Sequence, residues 1–197
     1  MKSKNKQFFV NSKFSVLHTN IQASKYRKNS LEAIVKALDI DLVTVNETNL
    51  RKDDKFSLDG YKTFSKNRQN APMGGIATSI VNKFATDVLK TAEGKSEEFL
   101  VIRLGQFDPA LNVINLYGAQ ETRLTVEPIK DNWENILEEI VKIESRGENL
   151  LLIGDTNRHI EVIVPGDCNK TSAGGKLLVD FLAKVNYVLV NAQEDVT

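Results

Sequence analysis

Short apolar runs that break on polar residues alternate along this chain with longer stretches in which apolar positions recur every three or four residues. FSVLHTN (14–20) alternates as a half-buried strand does. Residues 26–38 place Leu31, Ile34, Val35 and Leu38 at helical spacing, with Ser30 as a cap near the start. DLVTV (41–45) is a β-branched run suited to a strand inside a sheet, and it leads straight into Asn46-Glu47-Thr48. Further strands are predicted around 60–64, 75–81, 98–104 and 111–117. They are separated by Asp59-Gly60, Pro72, Gly74-Gly75, Glu93-Gly94 and Asp108-Pro109. An amphipathic helix over 127–145 lines up Ile129, Trp133, Ile136, Leu137, Ile140 and Val141. NLLLIG (149–154) reads as another buried strand and runs into Asp155. A helix over 174–185 (Leu177, Leu178, Phe181, Leu182, Val185) and a strand over 187–191 follow. Several central strands succeed one another without a helix between them. That order predicts an α/β layered sandwich with mixed sheets rather than an alternating doubly wound fold.

Composition narrows the picture. A chain of 197 residues, 41% apolar and 26% charged, fits one globular domain with a sizeable core. A single cysteine, Cys168, excludes an internal disulfide and agrees with a reducing, intracellular setting. One Cys and two His (His18 and His159) are a poor zinc set, so a metal would be held by oxygen ligands. No apolar stretch approaches a membrane span, and MKSKNKQFFV lacks the apolar core of a secretory signal. The net charge of +0 conceals an asymmetry. Residues 1–30 carry Lys2, Lys4, Lys6, Lys13, Lys25, Arg27 and Lys28 with no acid. Residues 1–13 therefore read as a basic arm ahead of a domain at 14–197, either contacting phosphates or simply solvated.

Four apolar strands end in residues that a core would not select. Asn20 follows FSVLHT, Glu47 follows DLVTVN, Tyr117 ends NVINLY, and Asp155 and Asn157 follow LLLIG. Strand ends in α/β sheets are where a rigid support projects polar groups into loops. These residue types suit phosphodiester hydrolysis. Glu47 can hold a hard divalent cation with water completing its shell. Asp155 can orient or deprotonate a water, Tyr117 can donate to a phosphate oxygen, and Asn20 and Asn157 offer neutral amides. Each residue alone also has a plain reading: Asn20 as a turn residue, Glu47 as a loop acid, Tyr117 as a core-edge ring, and Gly154-Asp155 as a turn. Four recurrences at four strands weigh against that reading.

In this order the residues resemble the endonuclease/exonuclease/phosphatase family. Its members show a strand ending in Asn, a strand leading into Glu-Thr, and a later Gly-Asp-x-Asn. The matching segments are FSVLHTN, DLVTVNETNL and LLLIGDTN, with GGIATSIVN (74–82) similar to the family's glycine-opened strand and VINLYGAQ (113–120) to its tyrosine strand. NYVLVNA (186–192) is similar to a later strand, so the resemblance covers 14–197. It implies a four-layer sandwich of two mixed β-sheets flanked by helices, as in DNase I-like enzymes. It places Asn20 and Glu47 near a Mg2+ or Mn2+ ion and Tyr117 at the phosphate. Asp155 becomes the water-activating acid, and Asn157 a phosphate or transition-state contact. Arg68 and His159 are further candidates for the substrate phosphate, and each also fits a solvated loop.

Within the family, DIDLVTVNETNL and GDTNRHI are most similar to the endonuclease domains of non-LTR retrotransposons, which nick target DNA. That resemblance implies a DNA substrate, a nuclear location, and a reverse-transcriptase region downstream in a full-length parent. A phosphatase or phospholipase on the same scaffold, or a non-catalytic nucleic-acid-binding remnant of a mobile element, are the alternatives. The family pattern continues into a Ser-Asp-His motif that residues 1–197 do not contain. The expectation is a domain incomplete at its C-terminus, with little or no activity as it stands. Cys168 has no readable base partner, and Trp133 reads as core.

Overall fold

The computed structural model describes residues 13–22, 24–51, 53–67, 74–93, 98–118, 126–157 and 173–185. Eight strands form two four-stranded sheets. The first has the order β1-β2-β4-β3, built from β1 (Val16–Asn20), β2 (Leu42–Asn46), β3 (Tyr61–Lys66) and β4 (Ile76–Val81). The second has the order β5-β6-β7-β8, built from β5 (Val88–Glu93), β6 (Glu98–Leu104), β7 (Leu111–Tyr117) and β8 (Asn149–Asp155). Both sheets are mixed: β1 pairs parallel with β2 and β7 with β8, and the remaining pairs are antiparallel. Helix α1 (Ser24–Ala37) connects the first parallel pair and α2 (Val126–Ser145) the second, as parallel neighbours require a crossover. Helix α3 (Ala173–Val185) follows β8.

Strand periodicity sorts the apolar side chains into three cores. Leu42, Ile76, Ile80, Leu100, Ile102, Leu104 and Val113 fill the space between the two sheets. Residues one step out of phase face the other way. Val43, Val45 and Ala77 meet Leu31 and Val35 of α1. Phe99, Val101, Ile114 and Leu116 meet Ile136, Ile140 and Ile143 of α2 and Leu178 and Phe181 of α3. The layers are therefore α1, sheet, sheet, and α2 with α3, the four-layer sandwich expected from the sequence. Strands buried on both faces need near-continuous apolar runs, and the LVTV and NVINL segments supply them.

The structure corrects several local expectations. Helix α1 begins at Ser24, and Ser30 is an exposed residue inside it rather than a cap. Leu31 and Val35 carry its packing, while Ile34 and Leu38 are 47% and 62% exposed. The apolar stripe is thus wider in sequence than the surface it covers. The helix ends where Asp39 takes a left-handed conformation (φ 47) and the Ile40 amide donates to the Val35 carbonyl, closing the last turn. Strand β5 was not expected. It lies at a sheet edge, carries Lys90 and Glu93, exposes Leu89, and shifts register against β6 between Lys90 and Ala92, so its hydrophobic pattern is weak. Gly154-Asp155 is the end of a strand, not a turn. The side chains of Ile129, Trp133, Leu177 and Val185, the arm up to residue 12, Cys168 and the expected strand at 187–191 lie outside the described residues.

Candidate functional site

The two parallel pairs bring four strand ends to one edge of the sandwich. Asn20 at the end of β1 is the register partner of Asn46 at the end of β2. Across the gap between the sheets, Tyr117 at the end of β7 partners Asp155 at the end of β8. All four lie on the strand phase that faces the opposite sheet, the phase of Val16 and Leu42 in one sheet and of Val113 and Ile153 in the other. A polar group at that phase, one step beyond the apolar core, is held at the mouth of the sandwich.

Hydrogen bonds join these ends. The Asn20 amide nitrogen donates to Glu47 Oε1 at 2.9 Å and to Asp155 Oδ2 at 3.1 Å, so one side chain links both carboxylates. Asn20 Oδ1 accepts from the Gln22 amide at 3.2 Å. The Tyr117 hydroxyl donates to the same Glu47 oxygen at 2.7 Å, and the residue is only 7% exposed. Charge-assisted bonds of this kind are shorter and stronger than neutral ones.

Glu47 reaches this position because the backbone leaves β2 at that residue. Its φ is 54, a left-handed value uncommon outside glycine, and it turns the chain out of the strand. The turn is fastened beyond it. The Thr48 amide donates to the Gly75 carbonyl at 3.1 Å and the Asn49 amide to the Gly74 carbonyl at 2.7 Å. Asn49 Oδ1 accepts from the Gly74 amide at 2.6 Å, and Ser24 Oγ donates to the Thr48 carbonyl at 2.8 Å. The glycine-opened strand is therefore the anchor for the segment carrying Glu47.

The Gly-Asp-x-Asn segment is explained in the same terms. A Cβ on Gly154 would stand 1.9 Å from the Leu116 carbonyl oxygen, and the residue has a φ of 152, so only glycine fits against β7. Asp155 Oδ1 accepts from the Asn157 amide at 3.0 Å, a local turn that carboxylates favour. Asn157 takes a left-handed conformation (φ 50), which asparagine tolerates, and its side chain donates to the Gly118 carbonyl at 2.8 Å. Gly118 is equally confined, since a Cβ there would lie 2.1 Å from the Thr156 carbonyl oxygen. The motif thus ties the Asp155 loop to the Tyr117 loop.

His18 lies one strand period below Asn20, with Nδ1 at 3.0 Å from Thr44 Oγ1. Burial holds its pKa below the ordinary histidine value, against the opposing pull of the Asp155 charge. Among the described residues no lysine or arginine pairs with Glu47 or Asp155. Two carboxylates linked through one amide supply the oxygen donors that a small hard cation takes. No group of three or more His, Cys, Asp or Glu that could hold a metal occurs among the described residues.

Five expected residues are therefore gathered: Asn20, Glu47, Tyr117, Asp155 and Asn157. Arg68 and His159 lie outside the described residues. Two residues of the site were missed. Asn46 and Asn115 are both 0% exposed, though the first reads in the sequence only as the residue leading from DLVTV into Glu47 and the second only as one position of the NVINLY strand. Their signal was parity: Asn46 shares the inward phase of Leu42 and Thr44, and Asn115 that of Val113 and Tyr117.

No family model and no curated protein matches the sequence. Solved structures do match in three dimensions. The AP endonuclease LMAP from Leishmania major superposes with a TM-score of 0.71 at 14% identity, covering 89% of this chain and 67% of that one. The endonuclease domain of TRAS1, a telomere-specific non-LTR retrotransposon, gives 0.66 at 18% identity, covering 93% and 75%. The 3' phosphatase NExo from Neisseria, bound to a product DNA hairpin, gives 0.65 at 16% identity, covering 88% and 71%. Two mixed four-stranded sheets stacked face to face, with helices on both outer sides, are the DNase I-like fold of these neighbours, and this chain has that fold.

Proposed function

We propose that the chain carries the carboxylate side of a metal-dependent phosphodiester hydrolase site, of the kind that nicks DNA in a retrotransposon endonuclease domain. The observation that carries the reading is the convergence of Glu47 and Asp155 on the Asn20 amide, with Tyr117 donating to Glu47. Two carboxylates and a phenol joined at one edge of the sandwich are the groups that phosphodiester hydrolysis needs. The structural neighbours named for DNA-directed enzymes, TRAS1 and NExo among them, support the same reading.

Glu47, with Asn20 beside it, would hold a Mg2+ or Mn2+ ion. When bound, such a cation supplies charge stabilisation to phosphoryl and leaving oxygens. Asp155, fixed at both oxygens by Asn20 and the Asn157 amide, would orient a water and take its proton. Tyr117 would steer Glu47 before substrate arrives and then turn its single hydroxyl proton to a phosphate oxygen, and Asn157 would contact the phosphate. The basic arm at 1–13 would add sequence-independent affinity for the DNA backbone.

The test is nicking of supercoiled plasmid with Mg2+ or Mn2+, with and without chelator. Chelation should abolish nicking. Asp155→Asn should lower it by about 10²–10⁴-fold, the usual contribution of a positioned acid or base. Glu47→Gln should weaken Mn2+ binding, read independently of turnover by paramagnetic broadening of the signals around Asn20. Nicking left unchanged by both substitutions would defeat the assignment.

A further inference from the structure

We propose that Asn46, backed by Asn115, is a positioning residue that sets the placement of Asp155 relative to Glu47. The inference rests on the hydrolase reading and deepens it. Both asparagines are 0% exposed, in the space between the sheets, where an unpaired amide is strongly disfavoured. Their bonds form one continuous chain. The Asp155 backbone amide donates to Asn46 Oδ1 at 3.0 Å, and Asn46 Nδ2 donates to Asn115 Oδ1 at 3.1 Å. Asn115 Nδ2 in turn meets the Ala77 carbonyl at 2.9 Å, Thr78 Oγ1 at 3.3 Å and the Val45 carbonyl at 3.4 Å.

The position of the chain matters more than its strength. Asn46 is the residue before Glu47, at the point where the backbone turns out of β2. Asp155 is the last residue of β8, the outermost of the described strands in the other sheet. A single side chain therefore couples the two segments that carry the two carboxylates. Asn115 lies two residues before Tyr117 on the same face of β7, so the third site residue is tied to the same frame.

The chemistry demands asparagine. One group must accept from the Asp155 amide and donate to Asn115 at the same time. Aspartate can accept but not donate, leucine can do neither, and glutamine adds a methylene to a space with no exposure. Stability alone does not call for this arrangement. Replacing both partners of a buried polar pair by apolar groups of similar shape is often neutral or stabilising. What an apolar pair cannot do is hold the Asp155 amide.

The experiment compares wild type with Asn46→Leu, Asn46→Asp and the double variant Asn46→Leu/Asn115→Leu. Three quantities are read: unfolding in urea, exchange of the Asp155 amide, and kcat and KM for bis(p-nitrophenyl) phosphate with Mn2+ in fully folded protein. Asn46→Leu should lower kcat by about 10–100-fold with KM changed by less than about threefold, the range for residues that orient a site from behind. Asp155 amide exchange should accelerate by about tenfold or more. Asn46→Asp keeps the acceptor and should retain more protection at Asp155. The double variant should regain only the part of the stability that Asn46→Leu loses by leaving Asn115 Oδ1 unpaired, without regaining kcat. A double variant whose kcat recovers with its stability, or an Asn46→Leu kcat within about threefold of wild type, would overturn the proposal. Wild-type protein that hydrolyses no phosphodiester with any divalent cation would overturn the hydrolase reading instead. The role of Asn46 is then decided by the Asp155 amide, and unchanged exchange in folded Asn46→Leu or in the folded double variant would refute it.

Discussion

Gly154 is the position where one methyl group should do most damage. An alanine Cβ there would stand 1.9 Å from the Leu116 carbonyl oxygen, 2.8 Å from its carbon and 2.9 Å from its nitrogen, all backbone atoms of β7. Side chains cannot yield in their place. Leu116 and Gly154 are register partners in the parallel pair, so β7 and β8 must part locally by roughly 1 Å to reach even a tight contact. The φ of 152 adds a backbone conformation that L residues rarely adopt. Strain of about 1–3 kcal/mol from the backbone and about 1–3 kcal/mol from overpacking gives a loss of about 2–6 kcal/mol for Gly154→Ala. That is a large share of the roughly 5–15 kcal/mol by which domains are stable. The matched control is Gly60→Ala, where φ is 80 but nothing lies within 4 Å of the added methyl, so only the backbone cost applies. Urea unfolding followed by circular dichroism measures both. Equal losses in the two variants, or a loss under about 1 kcal/mol in Gly154→Ala, would show that contact with β7 does not select glycine.

Tyr117→Phe keeps the buried ring but removes the 2.7 Å bond to Glu47. It should cost less than about 3 kcal/mol in a urea melt while lowering phosphodiester hydrolysis by about a hundredfold in steady-state kinetics. A second prediction concerns the opposite end of the sandwich. Arg103 holds Glu148 down to about 2, against the opposing effect of burial, with help from Asn112 and Arg146. A carboxylate lowered on folding adds stability above its unfolded value near 4.5, and that stability is lost as pH falls towards about 2. Urea midpoints of wild type should therefore fall more steeply across this window than those of Glu148→Gln, whose stability should already be low at neutral pH.

Much of this protein was legible in its sequence. LVTV, NVINL and LLLI read as buried strands because β-branched and aliphatic runs have few other uses, and helix spacing marked α1, α2 and α3. Asn20, Glu47, Tyr117, Asp155 and Asn157 stood out because each breaks an apolar run where a core would continue. Local chemistry determined these features, since period, propensity and turn residues act over a few positions.

Only the tertiary structure decided what the site is made of. Facing of the two sheets turned four separate strand ends into one bonded cluster, with Asn20 joining residues 27 and 135 positions away. The same facing gave Asn46 and Asn115 partners 109 and 69 positions off, so two residues that no sequence pattern singled out became the frame between Glu47 and Asp155. It also left Ile34 and Leu38 exposed and gave β5 a place that its own pattern does not specify. A sequence pattern records which face a residue prefers, whereas a hydrogen bond across two packed sheets depends on register, phase and distance, which exist only once the sheets have met.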